Sequence, residues 1–419
     1  MDKKINISVH SEIGELEAVI IHKPGPEVEN MTPLNAERAL YSDILNLSVA
    51  KKEYEQLSSV LSRFSRTYFV EDLLKEVLED YGIKDKLIRK ICQNECAHNI
   101  TDDLLELQPA KLARQLIQGI PIKRNSLTNY LSTNNYSLRP LHNFFFTRDS
   151  AVGVFDRVLI SSMANRVRER EALIMHAIFD HHPEFSSTTM SNEGYPVSAE
   201  KVRMEGGDIL IARENIILMG IGTRTSSQGV DFLLNRLKEK RHKQHVIIQE
   251  LPHKPESFIH LDMAFTFLDK NSCMVYEPLI LKPNRYATVH ITLDNGEVTS
   301  IKGVKNIPDV LEELGMPLEI SYCGGRKDSI IQEREQWHSG ANFFALAPGK
   351  VIAYSRNVYT LEDVNKIGYE ILRAKDILSG KVNTADYKKF VIAIEGSELS
   401  RGGGGARCMT MPVMRKKIE

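Results

Sequence analysis

No apolar run in the sequence approaches the roughly 20 residues that a membrane-spanning helix needs. The first ten residues, Met1 to His10, lack the apolar core of a signal peptide. Cysteine is scarce: Cys92, Cys96, Cys273, Cys323 and Cys408 are an odd number at unrelated spacings. That argues against a disulfide framework and for a reducing cytoplasm. Cys92 and Cys96 lie four apart in helical sequence, but with no second Cys pair and only His98 nearby they do not form a zinc motif. An excess of one charge is missing too. Lys and Arg number 54 against 55 Asp and Glu, a formal net charge of -1, so nothing global favours nucleic acid or an anionic membrane. The basic run from Lys238 to Lys243 reads as a solvated helix end, and His181-His182-Pro183 as the end of another helix. What is present, 42% hydrophobic and 26% charged residues, is the composition of a globular protein with a sizeable core.

Leu16 to His22 reads as a buried strand stopped by Lys23-Pro24-Gly25-Pro26. Apolar residues then recur at helical spacing from Asn35 to about Phe64. From Asp72 to about Leu131 the pattern is helical almost throughout, with a Ser/Asn/Tyr-rich return at Asn125 to Ser137. The expected organisation is an α/β body of residues 1–70 and 139–419 with a helical domain, 71–138, inserted in it.

After the insertion the chain repeats itself loosely. Asp149 precedes Ala151–Val154, a turn at Asp156-Arg157 and Val158–Ile160. Glu205-Gly206-Gly207-Asp208 precedes Ile209–Ile211, a turn at Glu214-Asn215 and Ile216–Met219. His260-Leu261-Asp262 precedes Ala264–Phe267, a turn at Lys270-Asn271 and Cys273–Tyr276. Gly340-Ala341-Asn342 precedes Phe343–Leu346, a turn at Pro348-Gly349 and Val351–Tyr354. Helical stretches intervene at Arg168–Phe179, Gln228–Lys240, Asp309–Leu314 and Thr360–Ile367. Four hairpins, with a fifth made from the N-terminal strand and the Cys408 segment, predict a closed ring of small β/α modules whose strand openings converge near the axis.

Collected at those openings are Asp149, Glu205, Asp208, His260, Asp262 and Cys408. Cys408 follows Gly402-Gly403-Gly404-Gly405, a run able to take positive φ and to bring backbone close to a ligand, with Arg407 beside it. Backbone N–H groups and a nearby cation are expected to favour the thiolate. His260 and Asp262, two apart on a strand, would leave the same face. A thiol with an imidazole suffices for covalent catalysis with acid–base help. The excess of carboxylates suits a cationic, planar guanidinium that pairs with them bidentately. Taken singly, each motif has a plainer explanation: a cap or turn for Asp149 or Asp208, a bulge at Gly206-Gly207, a core histidine at position 260.

Taken together, Phe146-Thr147-Arg148-Asp149, Glu205-Gly206-Gly207-Asp208, His260-Leu261-Asp262 and Arg407-Cys408-Met409-Thr410-Met411-Pro412 resemble bacterial arginine deiminases. The likeness runs from about Ser11 to Pro412 and includes Ser11-Glu12-Ile13-Gly14-Glu15-Leu16 and Ala353-Tyr354-Ser355-Arg356-Asn357. It implies an α/β propeller of five pseudo-symmetric ββαβ modules with an inserted helical domain. It also implies hydrolysis of L-arginine to L-citrulline and ammonia, without metal or organic cofactor, by a homo-oligomer (dimer or tetramer). By the same resemblance Cys408 is the nucleophile and His260 the general acid/base, oriented by Glu205, while Asp149 and Asp262 grip the guanidinium. Arg168 and Arg224, each 19 positions after Asp149 and Glu205, match the arginines that take the substrate carboxylate. Asn143 and Phe146 match pocket residues, and Asp208 joins the substrate-binding set. Gly403 stands where many members carry an arginine. Citrulline, agmatine or methylated arginine as substrate, amidino transfer, a non-catalytic arginine-binding protein and a thiol protease remain the alternatives.

Overall fold

The computed structural model describes residues 4–32, 36, 40–41, 43–196 and 201–418. The chain is a mixed α/β protein whose strands fall, among the described residues, into seven small sheets. Five of these sheets share one plan. An antiparallel hairpin has one strand continued by a parallel neighbour that the chain reaches only after helical or looped excursions. Ala151–Val154 pairs with Arg157–Ile160, which runs parallel to Thr189–Met190. Ile209–Arg213 and Ile216–Ile221 are extended by Gln244–Glu250, and Phe265–Asp269 and Ser272–Val275 by Glu319–Tyr322. Phe344–Ala347 and Lys350–Tyr354 are extended by Phe390–Ile394, itself flanked by Glu370–Arg373. In the fifth sheet Leu16–Ile21 pairs antiparallel with Met411–Arg415 and parallel with Arg66–Phe69. The four internal hairpins and the pairing of the two chain ends therefore match the sequence reading. None of these sheets closes on itself.

These strands are short, β-branched and buried along almost their whole length, as strands covered on both faces must be. The helices between them, Glu169–His181, Ser227–Leu237, Ile307–Glu313 and Val358–Lys366, fall within a few residues of the stretches read as helical. Several elements escaped the sequence reading, among them the parallel strands Gln244–Glu250, Glu319–Tyr322 and Phe390–Ile394. Ser329–Trp337 is a helix capped by the Asp328 carboxylate, and Thr288–Asp294 with Glu297–Val304 forms a hairpin added to the edge of Gln244–Glu250. Its turn is Asn295-Gly296, both at positive φ, the pair that a two-residue hairpin turn demands. Leu47–Phe64 is a helix capped by the Asn46 side chain; the start of that helical stretch, at Asn35, lies outside the described residues.

Residues 71–138 are mostly helical, with Val70–Val77, Tyr81–Asn94 and Pro109–Gln118 as the longest pieces. Their apolar faces do not form a separate core. Leu73, Leu74, Ile88, Ile91, Leu112 and Leu116 belong to one buried cluster with Ala18, Ile20, Val158, Ile174, Ile178 and Val413 of the body.

Each hairpin opening that carries a candidate residue is a single helical turn or tight bend ahead of a strand. Asp149 lies in Thr147–Ser150, Glu205 immediately before Gly206–Asp208, and His260 immediately before Leu261–Met263. The first and second of these turns pack on each other, as do the second and third. His260 and Asp262 are thus not on a strand. Asp262 sits within a 3-10 turn, which overturns the period-two argument for their common direction.

Candidate active site

Cys408, Asp149, Glu205, His260 and Asp262, drawn from four separate openings, are all buried. Asp262 lies under the sulfur, with Oδ2 at 3.6 Å and Oδ1 at 3.8 Å from Cys408 Sγ. His260 is held between two carboxylates: Nε2 is 2.9 Å from Glu205 Oε2, and Nδ1 is 3.6 Å from Asp149 Oδ1. Glu205 also accepts the Ala164 amide on Oε1 and has Arg224 Nη1 at 3.6 Å from Oε2. Gly207 makes room for the imidazole, since a Cβ there would stand 2.4 Å from His260 Nδ1.

The glycine run serves close approach more than positive φ. Of the four glycines only Gly403 is left-handed, at φ +85°. At Gly404 a Cβ would lie 2.5 Å from the Phe146 ring, and at Gly405 one would lie 2.7 Å from Asn342 Oδ1. Those two contacts are what bring the chain around the thiol. Asn342, the polar residue of the fourth opening, accepts the backbone N–H of Arg407 (2.9 Å) and of Cys408 (3.2 Å) on Oδ1. Its amide nitrogen reaches Cys408 Sγ at 3.2 Å and the Asp262 carbonyl at 3.1 Å. The sequence reading listed Asn342 among the openings without giving it a role. Its position, equivalent to Asp149 and His260 in the repeat, was the available signal.

Electrostatics sort these groups. Burial alone would force Glu205 neutral, but Arg224 and the His260 hydrogen bond hold its carboxyl down to about 2. Burial likewise opposes the charged imidazole, yet Asp149, the Glu205 hydrogen bond and Asp208 lift His260 to about 9. The Cys408 thiol is pushed well up, by burial first and then by Asp262 and Asp149. Arg407 and a backbone hydrogen bond at Gly405 do act to favour the thiolate, as expected, but burial and the two aspartates outweigh them, and the Arg407 guanidinium is itself engaged by Glu12 and Asp262. Both shifts favour the protonated forms, a thiol at Cys408 and an imidazolium at His260.

Arg168 is buried and gives Nη1 to Asp149 Oδ2 at 2.6 Å, its other donors going to Glu171 and, at 3.2 and 3.4 Å, to the carbonyls of Asn143 and Phe146. Phe146 stacks its ring 4.1 Å from Phe145 and lies over the glycine run. Asp208 spends Oδ1 on the Leu261 amide, next to His260, and burial lifts its carboxyl to about 7. Arg224 lies in the wall of a surface cavity of about 900 Å³ shared with Tyr41, Ile259, Arg356, Gly402 and Gly403. None of the five central residues lines that cavity, so the acidic centre is closed off from it. Among the described residues one group of ionisable side chains has the spacing to hold a metal, Asp149, Glu205 and His260. Arg168, Arg224 and the imidazolium already balance those carboxylates, which leaves a cation little electrostatic reason to bind there.

The family model described as arginine deiminase matches residues 37–415. The arginine deiminase of Listeria innocua is 32% identical over 438 residues, with 100% of both chains covered. That of Bacillus thuringiensis is 31% identical over 437 residues, covering 98% of this chain and 99% of its own. Among solved structures, the N-terminal domain of a cyanobacterial arginine dihydrolase of the ornithine–ammonia cycle superposes with a TM-score of 0.53 at 12% identity, covering 95% of this chain and 98% of that one. An amidinotransferase of saxitoxin biosynthesis from Microseira wollei superposes with a TM-score of 0.54 at 13% identity, covering 98% of each. These two likenesses show a common mixed α/β fold.

Proposed function

The chain belongs to the arginine deiminase family, a hydrolase acting on carbon–nitrogen bonds of linear amidines, and from this we propose that it converts L-arginine to L-citrulline and ammonia through a covalent Cys408 intermediate. The observation that carries the reading is the burial together of these acids, the imidazole and the thiol: Asp262 stands against Cys408 Sγ, while His260 is clasped by Glu205 and Asp149. A hole lined by carboxylates is costly unless its ligand brings positive charge.

Asp149 and Asp262 take the guanidinium edge to edge, each offering the oxygen that its internal arginine leaves free. Arg224 receives the α-carboxylate at the cavity wall. Arg168 joins it by exchanging its two longest contacts, to the Asn143 and Phe146 carbonyls. Asn143 and Phe146 line the pocket, and Asp208 steadies the backbone after His260. The arriving cation lowers the cost of ionising Cys408, whose proton leaves to solvent. The thiolate then attacks the guanidinium carbon. His260, already an imidazolium, protonates the departing nitrogen, and ammonia leaves a thiouronium adduct. Water enters, His260 takes one of its protons, and the adduct collapses to citrulline as the remaining hydroxyl proton passes to the departing Cys408 sulfur, which restores the resting thiol. Fixing the reacting groups in this way can contribute roughly 7–11 kcal/mol in the best cases.

In the same reading the five hairpin-based sheets form the modules of an α/β propeller, with 71–138 inserted and 1–70 and 139–419 as the catalytic body. The working enzyme is a cytoplasmic homo-oligomer, dimer or tetramer. Replacing Cys408 with Ala is expected to abolish citrulline formation while calorimetry still detects arginine binding; ammonia release by the Cys408→Ala enzyme would exclude the mechanism. The open space over Gly403 favours one second reading, a bulkier guanidino substrate. Citrulline formation from arginine beside Nω-methylated arginine, the latter read also by methylamine release, separates the two.

A further inference from the structure

Arg407 is fully buried beside the nucleophile in sequence, yet its guanidinium serves two carboxylates from distant parts of the chain. Nε and Nη2 donate to Glu12 Oε2 and Oε1, each at 3.0 Å, and Nη1 donates to Asp262 Oδ2 at 2.8 Å. Nη2 also reaches the Ile209 carbonyl at 2.7 Å. The same pattern of atoms recurs across the site. Arg168 gives its Nε and Nη2 edge to Glu171, and its Nη1 to Asp149 Oδ2. In both cases an outer glutamate locks the plane of an arginine bidentately, and the arginine's last nitrogen takes a single oxygen of an inner aspartate.

A planar fork gripped along one edge cannot rotate, so the aspartate on its far side is fixed as well. One inner oxygen is withheld, and the other is left for a ligand. Asp149 Oδ1 is buried without a hydrogen-bond partner, its neighbour being His260 Nδ1 at 3.6 Å, and Asp262 Oδ1 stands 3.8 Å from the thiol with no arginine on it. Stability is a weak reason for the Glu12–Arg407–Asp262 chain, since buried ion pairs gain little over well-packed apolar residues.

We propose that Arg407 is a positioning residue for deimination, anchored by Glu12, that holds Asp262 in the pose from which it grips the substrate guanidinium. The proposal rests on the reading of Asp262 as a guanidinium-binding carboxylate. Arg407→Gln is the direct probe, and Glu12 keeps cationic company in it, because Arg148 and Arg415 also act on that carboxylate. A misplacement of the order of 1 Å can cost about 100-fold, so kcat/KM for arginine per folded enzyme is expected to fall by about that factor. Arg407→Lys is expected to recover part of the loss, and Glu12→Gln to lose less than Arg407→Gln. A purely structural role would lower the Tm while leaving kcat/KM of the folded fraction intact; that result, in either Arg407→Gln or Glu12→Gln, overturns the proposal. Crystal structures of the wild type and of Arg407→Gln supply a readout independent of turnover. The Asp262 carboxylate is expected to leave its place beside Cys408, and an unmoved carboxylate overturns the proposal. Should the wild type form no citrulline, the deiminase reading fails, and the crystal structures alone decide whether Arg407 positions Asp262. If Arg407→Gln does not fold, the same measurements are made on Glu12→Gln.

Discussion

Cys408 and His260 carry opposite burdens from the same burial. Burying the thiol among carboxylates raises it, while the imidazole is raised because Asp149 and Glu205 outweigh its own desolvation. In the substrate-free protein the sulfur is therefore expected to react slowly with iodoacetamide at neutral pH and to accelerate only above pH 9, the ordinary value of the thiol. A plateau in the alkylation rate below pH 8 would contradict this. The same shifts link to stability. Both groups bind their proton more tightly folded than unfolded; the contribution of the thiol is lost only above its ordinary value of 9, while that of the imidazole is fully present below its ordinary value of 6.5. The imidazole's share is lost as pH rises through about 9. Urea unfolding is expected to show stability falling between those values, and His260→Gln to flatten that fall; an unchanged pH slope in His260→Gln would assign the loss to other groups.

At the level of elements, the Cys408 loop is shaped by what its glycines lack. Gly404→Ala drives a methyl into the Phe146 ring and within 3.0 Å of Cys408 Cβ. Overpacking of this kind costs about 1–3 kcal/mol and shifts Cys408, the proposed nucleophile, so citrulline formation is expected to collapse. Gly403→Ala meets nothing within 4 Å and pays only for its left-handed backbone, about 1–2 kcal/mol. It should keep most of the activity, and equal losses in the two variants would refute this division. The hairpins were legible in the sequence because alternating or continuous β-branched runs end at Asp, Asn or Gly turns. What the period-two rule missed is that the residues ahead of the strands, Glu205 to Asp208 and His260 to Met263, wind into single helical turns too short to leave a periodic trace. The Asn295-Gly296 hairpin did leave its turn signal and was overlooked. The anchoring of Arg407 was illegible for a different reason. Its neighbours in charge, Glu12 and Asp262, lie 395 and 145 residues away, a distance no local reading spans. The carboxylates, the imidazole and the thiol could be found because their chemistry is unusual as a set; Asn342, Glu12 and Glu171, which hold them, are unremarkable one at a time.

Across the whole molecule, residues 71–138, the insertion of the proposed division, have a common core with the α/β body. Leu74, Ile88, Leu112 and Leu116 of the insertion are buried in the same cluster as Ile20 and Val413 of the two paired end strands. Those strands place Cys408 and Glu12 at the site, since Met411–Arg415 follows the thiol directly and Leu16–Ile21 follows the glutamate. Stripping the insertion away would expose apolar residues that the body cannot cover by itself, at about 25 cal/mol for each Å² returned to water. A chain in which a short Gly-Ser linker replaces residues 71–138 is therefore expected to be insoluble or to form no citrulline, although that segment supplies none of the side chains proposed to be catalytic. For the intact protein, calorimetry should give a single cooperative transition in which the insertion and the site melt together. Two resolved transitions, with loss of citrulline formation tracking only the second, would show that the two units are energetically separate despite their common core.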